Sequence, residues 1–240
     1  SITLSSQVCP EIREYERQST ACANAYVQPL MSRYLTKLDE ALQSMGFMCP
    51  FLLMTSGGGL TTLDTSIKFP VRLVESGPAG GAILATEIAK ECGIDNVLSF
   101  DMGGTTAKIC LIDDYTPQMT RTFEVARVYR NLKGSGLPLR IPAIEMVEIG
   151  AGGGSIAKVD DMKRISVGPE SSGASPGPAC YGQGGLDATV TDADVILGRI
   201  EPKDFAGGAV KLAPEKADLV LQKAVGDQLS LNSSLSAFGV

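Results

Sequence analysis

Between Val97 and Ile112 the chain reads Val-Leu-Ser-Phe-Asp-Met-Gly-Gly-Thr-Thr-Ala-Lys-Ile-Cys-Leu-Ile, an acid, two glycines and two threonines set between two apolar runs. Strand-forming residues on both sides predict a β-hairpin with a carboxylate where the first strand ends. Gly103 and Gly104 let the backbone turn with φ > 0 and bring its N–H groups close to a ligand, and Thr105 and Thr106 add hydroxyl donors. Such a tip suits a phosphate. Asp101 is then the candidate catalytic acid and metal ligand, holding a divalent cation directly or through water. The same spacing also serves an ordinary hairpin turn.

A second cluster, Gly150-Ala151-Gly152-Gly153-Gly154-Ser155, follows the strand-like run Ile144 to Ile149. As a dinucleotide fingerprint it fails, because Ser155 stands where the third glycine of G-x-G-x-x-G belongs and Asp160-Asp161 comes too early for the ribose acid. It still suits a nucleotide whose sugar and base lie over side-chain-free backbone. Ser56-Gly57-Gly58-Gly59 also follows a short apolar strand, Phe51 to Thr55, and either turns sharply or lies against something flat. Asp192 and Asp194 read as metal ligands or, for Asp192, as a helix cap. Cys180 beside Tyr181 is a conceivable nucleophile, with no histidine in the chain to activate it.

Composition narrows the chemistry. The absence of histidine removes Ser-His-Asp and Cys-His catalysis and the common transition-metal ligand sets. A net charge of −6 without a basic cluster argues against nucleic acid or an anionic membrane as partner. No apolar run reaches the ~18 residues of a membrane span, and no basic-then-apolar leader opens the chain, which predicts a soluble, cytoplasmic protein. Six cysteines without C-x-x-C spacing indicate neither zinc nor a disulfide framework and are expected mostly as small buried residues. In 240 residues, 27 glycines with few aromatics favour a closely packed α/β protein with many tight turns.

The elements that must position these residues follow in order. Ile2-Thr3-Leu4 looks strand-like, and the chain reads as a piece of something longer. Ala21, Ala23 and Ala25 favour helix up to Pro29, and Leu35, Leu38, Leu42 and Met45 lay an apolar core stripe on a helix ending at Gly46. Val71 to Val74 reads as a short strand. A helix then starts with Ser76 or Gly77 as cap and Pro78 at the first helical position, and stops at Gly93. Its small first turn lets another backbone approach. Asp113-Asp114-Tyr115 turns the chain, and Thr120 to Tyr129 is expected as a strand with Arg121, Arg127 and Arg130 near one edge. Lys133 to Gly136 is expected as a loop, with Leu139 to Pro142 extended after it. Val167 to Gly185 is a long irregular segment. Thr191 or Asp192 should cap the next helix, Ala213 to Leu229 is amphipathic from Pro214, and Ser230 to Val240 looks weakly ordered.

The segments Glu75 to Gly81, Phe100 to Lys108 and Gly150 to Ile156, in that order, resemble the ATP-binding second half of the actin, sugar-kinase and heat-shock ATPase superfamily. A closer resemblance is to the hydantoinase A and 5-oxoprolinase family, which includes acetone and acetophenone carboxylase subunits. It rests on Glu14-Tyr15-Glu16-Arg17 with Ser19-Thr20 and Asn24-Ala25-Tyr26, on Ser76 to Gly81, Phe100 to Thr105 and Gly150 to Ala157. It rests further on Pro176-Gly177-Pro178-Ala179-Cys180-Tyr181-Gly182 and on Thr189 to Ala193 with Leu197-Gly198-Arg199. It extends to about Leu212.

The resemblance implies an actin-like (ribonuclease H-like) ATPase lobe, a mixed sheet flanked by helices. Residues 1–70 would end the first lobe and its linking helix, and residues 71–240 would form the second, nucleotide-binding lobe. It implies ATP-dependent ring opening of a cyclic amide such as a hydantoin or 5-oxoproline by phosphorylation of the carbonyl oxygen, or carboxylation of a ketone. A non-catalytic nucleotide-binding assembly subunit is the alternative outside enzymology. ATP and Mg²⁺ are the implied cofactors, with Asp101 at the metal, Gly103, Gly104, Thr105 and Thr106 at the phosphates, and Gly152, Gly153, Gly154 and Ser155 at the nucleoside. A hydantoinase B-type subunit or domain is the implied partner in an oligomer. Two departures stand out. The superfamily's first acid-glycine-glycine-threonine hairpin has no counterpart in this chain, so little turnover is expected of it alone, and Lys108 replaces an acid common in relatives, either to reach a phosphate or to point to solvent.

Overall fold

The computed structural model describes residues 2–126, 128 and 134–240, and in it the chain divides into two units. One comprises residues 1–99 and 109–146, the other residues 100–108 and 147–240. The α/β class expected from composition is the class found. Arg127, Tyr129, Arg130 and Lys133, named above in a strand and a loop, lie outside the described residues.

In the first unit Ile2 to Leu4 is not a strand. The chain enters a single helical turn, α1 (Ser5–Val8), and then the long helix α2 (Glu14–Ser44). Pro29 does not end α2. Proline removes one N–H and usually breaks a helix, but the preceding turn is held from outside. Asn24 Nδ2 donates to Lys68 O at 3.0 Å, Asn24 Oδ1 accepts from Val71 N at 3.2 Å, and Gln28 Nε2 donates to Lys68 O at 3.2 Å. The apolar stripe is only partly core, since Leu35 is buried, Leu38 and Leu42 are half-buried and Met45 is exposed.

β1 (Leu52–Met54) and β2 (Leu60–Thr62) form an antiparallel hairpin around Ser56 to Gly59, and α3 (Leu63–Lys68) follows, capped by Thr62. Val71 to Val74 does not form a strand: Pro70–Leu73 is a 3₁₀ turn. Its polar groups are taken locally, with Ser56 Oγ donating to Arg72 O and Val74 O, while Val71 is buried against Val8, Cys9, Ala21, Leu139 and Ile141. Helix α4 (Ser76–Cys92) begins after a left-handed Glu75, so Pro78 stands third in the helix; it ends at left-handed Gly93 as expected.

β3 (Val97–Met102) and β4 (Ala107–Asp113) are neighbours in one sheet and carry the hairpin tip between them. Asp114 (φ 47°) and Tyr115 (φ 57°) turn the chain into β5 (Thr116–Pro117), paired antiparallel with β4. β6 (Met119–Thr120), β7 (Phe123–Val125), β8 (Leu137–Leu139) and β9 (Ala143–Ile144) form the pairs β6·β9 and β7·β8. The expected run Ile144 to Ile149 is thus split, and only β10 (Val147–Ile149) leads into the glycine cluster.

In the second unit β11 (Ser155–Val159) and β12 (Ile165–Ser171) pair antiparallel, so the segment expected to be irregular from Val167 starts as strand. Helix α5 (Val190–Ile196) is capped by Thr189, not Thr191 or Asp192, in a capping box whose partner is Asp192, the third residue of the helix. α6 (Pro214–Leu221) passes through a π-helical turn at Gln222–Gly226 into α7 (Asp227–Leu229). The tail is ordered. α8 (Ser233–Gly239) is capped by Asn232, and Ala237 packs with Ala179, Ala188, Ala193, Val220 and Leu221, so the apolar contact offsets what a short polar segment lacks in propensity. Among the described residues no helix is long and apolar enough to cross a membrane.

Candidate functional site

The hairpin tip and the glycine cluster, bonded through residues 50 apart in sequence, meet within the second unit. The tip is closed by Gly103 N donating to Thr106 O at 2.9 Å, and neither Gly103 nor Gly104 takes the positive φ expected of it, so the pair supplies close approach and not a left-handed turn. Gly153 N then donates to Gly103 O at 2.9 Å and Gly154 N to Gly104 O at 2.7 Å. The cluster is fastened from behind as well: Thr191 N and Oγ1 donate to Gly153 O at 2.8 and 2.9 Å, and Ser172 N donates to Gly154 O at 2.8 Å. Gly152 N donates to Ser155 Oγ at 2.9 Å.

This contact explains the glycines. A Cβ on Gly152 would stand 2.6 Å from Thr105 N and 2.7 Å from Gly104 C, and one on Gly154 would stand 2.9 Å from Gly104 O. Neither requires positive φ; what they supply is room for another main chain. Gly152, Gly154 and Ser155 are buried and their N–H groups are bonded within the chain, whereas Gly153 stays half-exposed. These four residues therefore seat the tip.

The tip faces outward. Gly103, Gly104 and Thr105 are exposed and Thr106 is half-buried, and among the described residues the N–H groups of Gly104, Thr105 and Thr106 and both threonine hydroxyls have no acceptor. Asp101, one residue from the end of β3, is exposed and forms no ion pair among the described residues. Three unspent amides, two hydroxyls and one carboxylate are a donor set for a polyphosphate with a cation beside it. Mg²⁺ keeps several waters and binds through one or two carboxylates plus phosphate oxygens, so a lone Asp101 fits it when phosphates supply the rest. Among the described residues no group of three or more Cys, Asp or Glu could hold a metal unaided.

Asp192 and Asp194 have other duties. The Asp192 carboxylate is buried and accepts from Cys180 N at 2.8 Å, Thr189 N at 3.0 Å, Thr189 Oγ1 at 2.8 Å and Ala179 N at 3.3 Å, so it is structural; Asp194 pairs with Arg199 at 3.1 Å. Burial, and then the Asp192 carboxylate beside it, push the Cys180 thiol far up from its ordinary value. A thiol held protonated is a poor nucleophile, which answers the reading of Cys180 as one. Cys9, Cys110 and Cys180 are buried but Cys22, Cys49 and Cys92 are exposed, so only half match the expectation. Ser56 to Gly59 is a structural turn: Thr55 N donates to Gly59 O at 2.8 Å and Gly58, at φ +80°, lies against Ile83 and Ile144. Thr191 and Ser172 were not foreseen at the site. The T-x-T-D run at Thr189 carries a trace of the first, since one threonine caps the helix and the other is left for a different partner.

Residues 17–238 match the family model described as hydantoinase/oxoprolinase. The alpha subunit of caprolactamase from Pseudomonas jessenii is 36% identical over 98% of this chain and 32% of its own length. The crystal structure of that organism's ATP-dependent caprolactamase superposes with a TM-score of 0.70 at 34% identity, covering 99% of this chain and 33% of the other. A nucleotide-free acetone carboxylase, described for ATP-dependent acetone carboxylation, superposes with a TM-score of 0.76 at 27% identity over 98% of this chain and 32% of the other. The chain thus spans about a third of the length of these relatives. With a family match over nearly its whole length and relatives of this similarity, the chain belongs to the hydantoinase/oxoprolinase family.

Proposed function

We propose that this chain is the nucleotide-binding part of an enzyme that opens a cyclic amide, such as a hydantoin or 5-oxoproline, at the expense of ATP. The observation that carries the reading is the hairpin tip: three amides and two hydroxyls without acceptors among the described residues, beginning three residues beyond the exposed Asp101. The nucleotide, when bound, supplies the phosphoryl group that turns an amide carbonyl oxygen into an activated ester-like position. Gly104, Thr105 and Thr106 would donate to its phosphate oxygens. Asp101 holds Mg²⁺, directly or through water, which offsets charge on the transferring group. Gly152, Gly154 and Ser155 keep the tip in place, and the nucleoside lies toward the half-exposed Gly153.

On this reading residues 1–70 end a first lobe and residues 71–240 belong to the second. A B-type subunit or domain completes the active site, within a cytoplasmic oligomer. The test is substrate-dependent ATP hydrolysis by the full polypeptide that carries this chain. Asp101→Asn should lower turnover by about 100-fold or more, with the loss steepest at low Mg²⁺; unchanged turnover would remove Asp101 from the chemistry. The TM-score of 0.76 to acetone carboxylase favours ketone carboxylation as the second reading. ATP turnover that requires bicarbonate and a ketone, and ignores cyclic amides, would select it.

A further inference from the structure

Two peptide planes at the tip have an arrangement that the phosphate reading alone does not require. The plane joining Gly103 to Gly104 carries an N–H without an acceptor among the described residues, and its carbonyl is gripped by Gly153 N at 2.9 Å. The plane joining Gly104 to Thr105 repeats this, with Gly154 N on its carbonyl at 2.7 Å. In a trans peptide N–H and C=O point opposite ways in one plane, so whatever fixes the carbonyl aims the N–H. The planes behind are held in turn: Gly154 N–H shares its plane with the Gly153 carbonyl, and Gly153 N–H shares its plane with the Gly152 carbonyl, which accepts from Ser155 N at 2.9 Å. Gly153 O accepts from Thr191 N at 2.8 Å and Thr191 Oγ1 at 2.9 Å, and Gly154 O accepts from Ser172 N at 2.8 Å and Ser172 Oγ at 3.2 Å. Two relays therefore reach the outward-facing amides of the tip, a short one from Thr191 through the Gly153–Gly154 peptide to the Thr105 N–H, and a longer one from Ser172 through the Gly154–Ser155 and Gly152–Gly153 peptides to the Gly104 N–H. Hydrogen bonds in series polarise one another, so each relay makes its terminal N–H a better donor as well as a fixed one.

We infer that Thr191 and Ser172 are positioning residues of the phosphate-binding tip, Thr191 aiming the Thr105 N–H and Ser172 the Gly104 N–H; this rests on the nucleotide reading above. Neither side chain reaches the ligand. Thr191 is buried and Ser172 half-buried, and both act through the backbone of the glycine cluster. Of the two, Thr191 has the shorter hydroxyl bond, so it carries the larger share.

Titration calorimetry of MgATP, MgADP and AMP against the full polypeptide and its variants Thr191→Val, Thr191→Ser and Ser172→Ala tests this. Thr191→Val keeps the shape and the backbone donor but loses the hydroxyl. It should weaken MgATP and MgADP about 5- to 10-fold, with Thr191→Ser restoring most of the loss and Ser172→Ala weakening them about 3-fold. AMP, which carries no polyphosphate, should bind every variant as it binds the parent. A purely structural role for the hydroxyl would move all three nucleotides together. Parent binding of MgATP with equal binding by Thr191→Val would overturn the inference and leave the nucleotide reading standing. If the parent bound no nucleotide, that reading would fail. Amide hydrogen exchange then decides the relay on its own: faster exchange at Thr105 in Thr191→Val supports it, and an unchanged rate overturns it.

Discussion

Two glycine clusters in this chain look alike as text, Ser56-Gly57-Gly58-Gly59 after β1 and Gly152-Gly153-Gly154-Ser155 after β10, yet they meet opposite kinds of neighbour. A Cβ on Gly58 would stand 2.7 Å from Ile83 Cδ1 and 3.3 Å from Ile144 Cδ1, both side chains of an apolar core. A Cβ on Gly152 would stand 2.6 Å from a backbone nitrogen of the hairpin tip. Side chains can rotate aside at some cost, whereas a main chain pinned by its own hydrogen bonds cannot. Gly58 also has φ +80°, so it serves conformation and space together, while Gly152 serves space alone. A glycine run after a strand is therefore a statement about close approach, and only its neighbour says whether the approach is structural or functional.

The difference predicts separable failures. Gly152→Ala should push the tip away from its seat and weaken MgATP by about 100-fold, the size of effect expected when preorganised donors to an anion are displaced; calorimetry within threefold of the parent would erase the distinction. Asp192→Asn leaves four donors sharing a poorer acceptor in the buried turn behind α5, and should lower unfolding stability by about 2 kcal/mol in denaturant titration. Gly58→Ala should cost about 1.5 kcal/mol and leave nucleotide affinity alone. The smallest effect is one of accessibility. In the parent, Cys22, Cys49 and Cys92 should react quickly with a thiol reagent and Cys9, Cys110 and Cys180 slowly, since burial hides the latter and raises their thiols. Gly58→Ala should speed Cys110, which shares a core with Ile144, and Gly152→Ala should leave it slow.

Much of the local structure was legible because it depends on near neighbours. The hairpin at Asp101, the stop at Gly93 and the turn at Asp114-Tyr115 all lie where short-range rules put them. Misreadings fell where a distant partner overruled a local preference. Asn24 and Gln28 hold α2 through Pro29 by bonding Lys68, more than 39 residues onward. The Pro70–Leu73 turn replaces a strand because Ser56 and Asn24 take its polar groups. Thr189 takes the cap of α5 because Asp192, three residues on, bonds back to it while also serving Ala179 and Cys180. The tail forms α8 because Ala237 finds an apolar seat that its own sequence does not announce.

By itself the sequence determined the residue types at the tip, the breaks on either side of it and the family, since each follows from composition and order. Only the tertiary structure decided that Gly152 and Gly154 are spent on the tip and that Thr191 and Ser172 stand behind them. Those contacts join residues 18 to 50 apart through backbone groups, and a backbone N–H or C=O is the same at every position of a sequence until folding selects its partner.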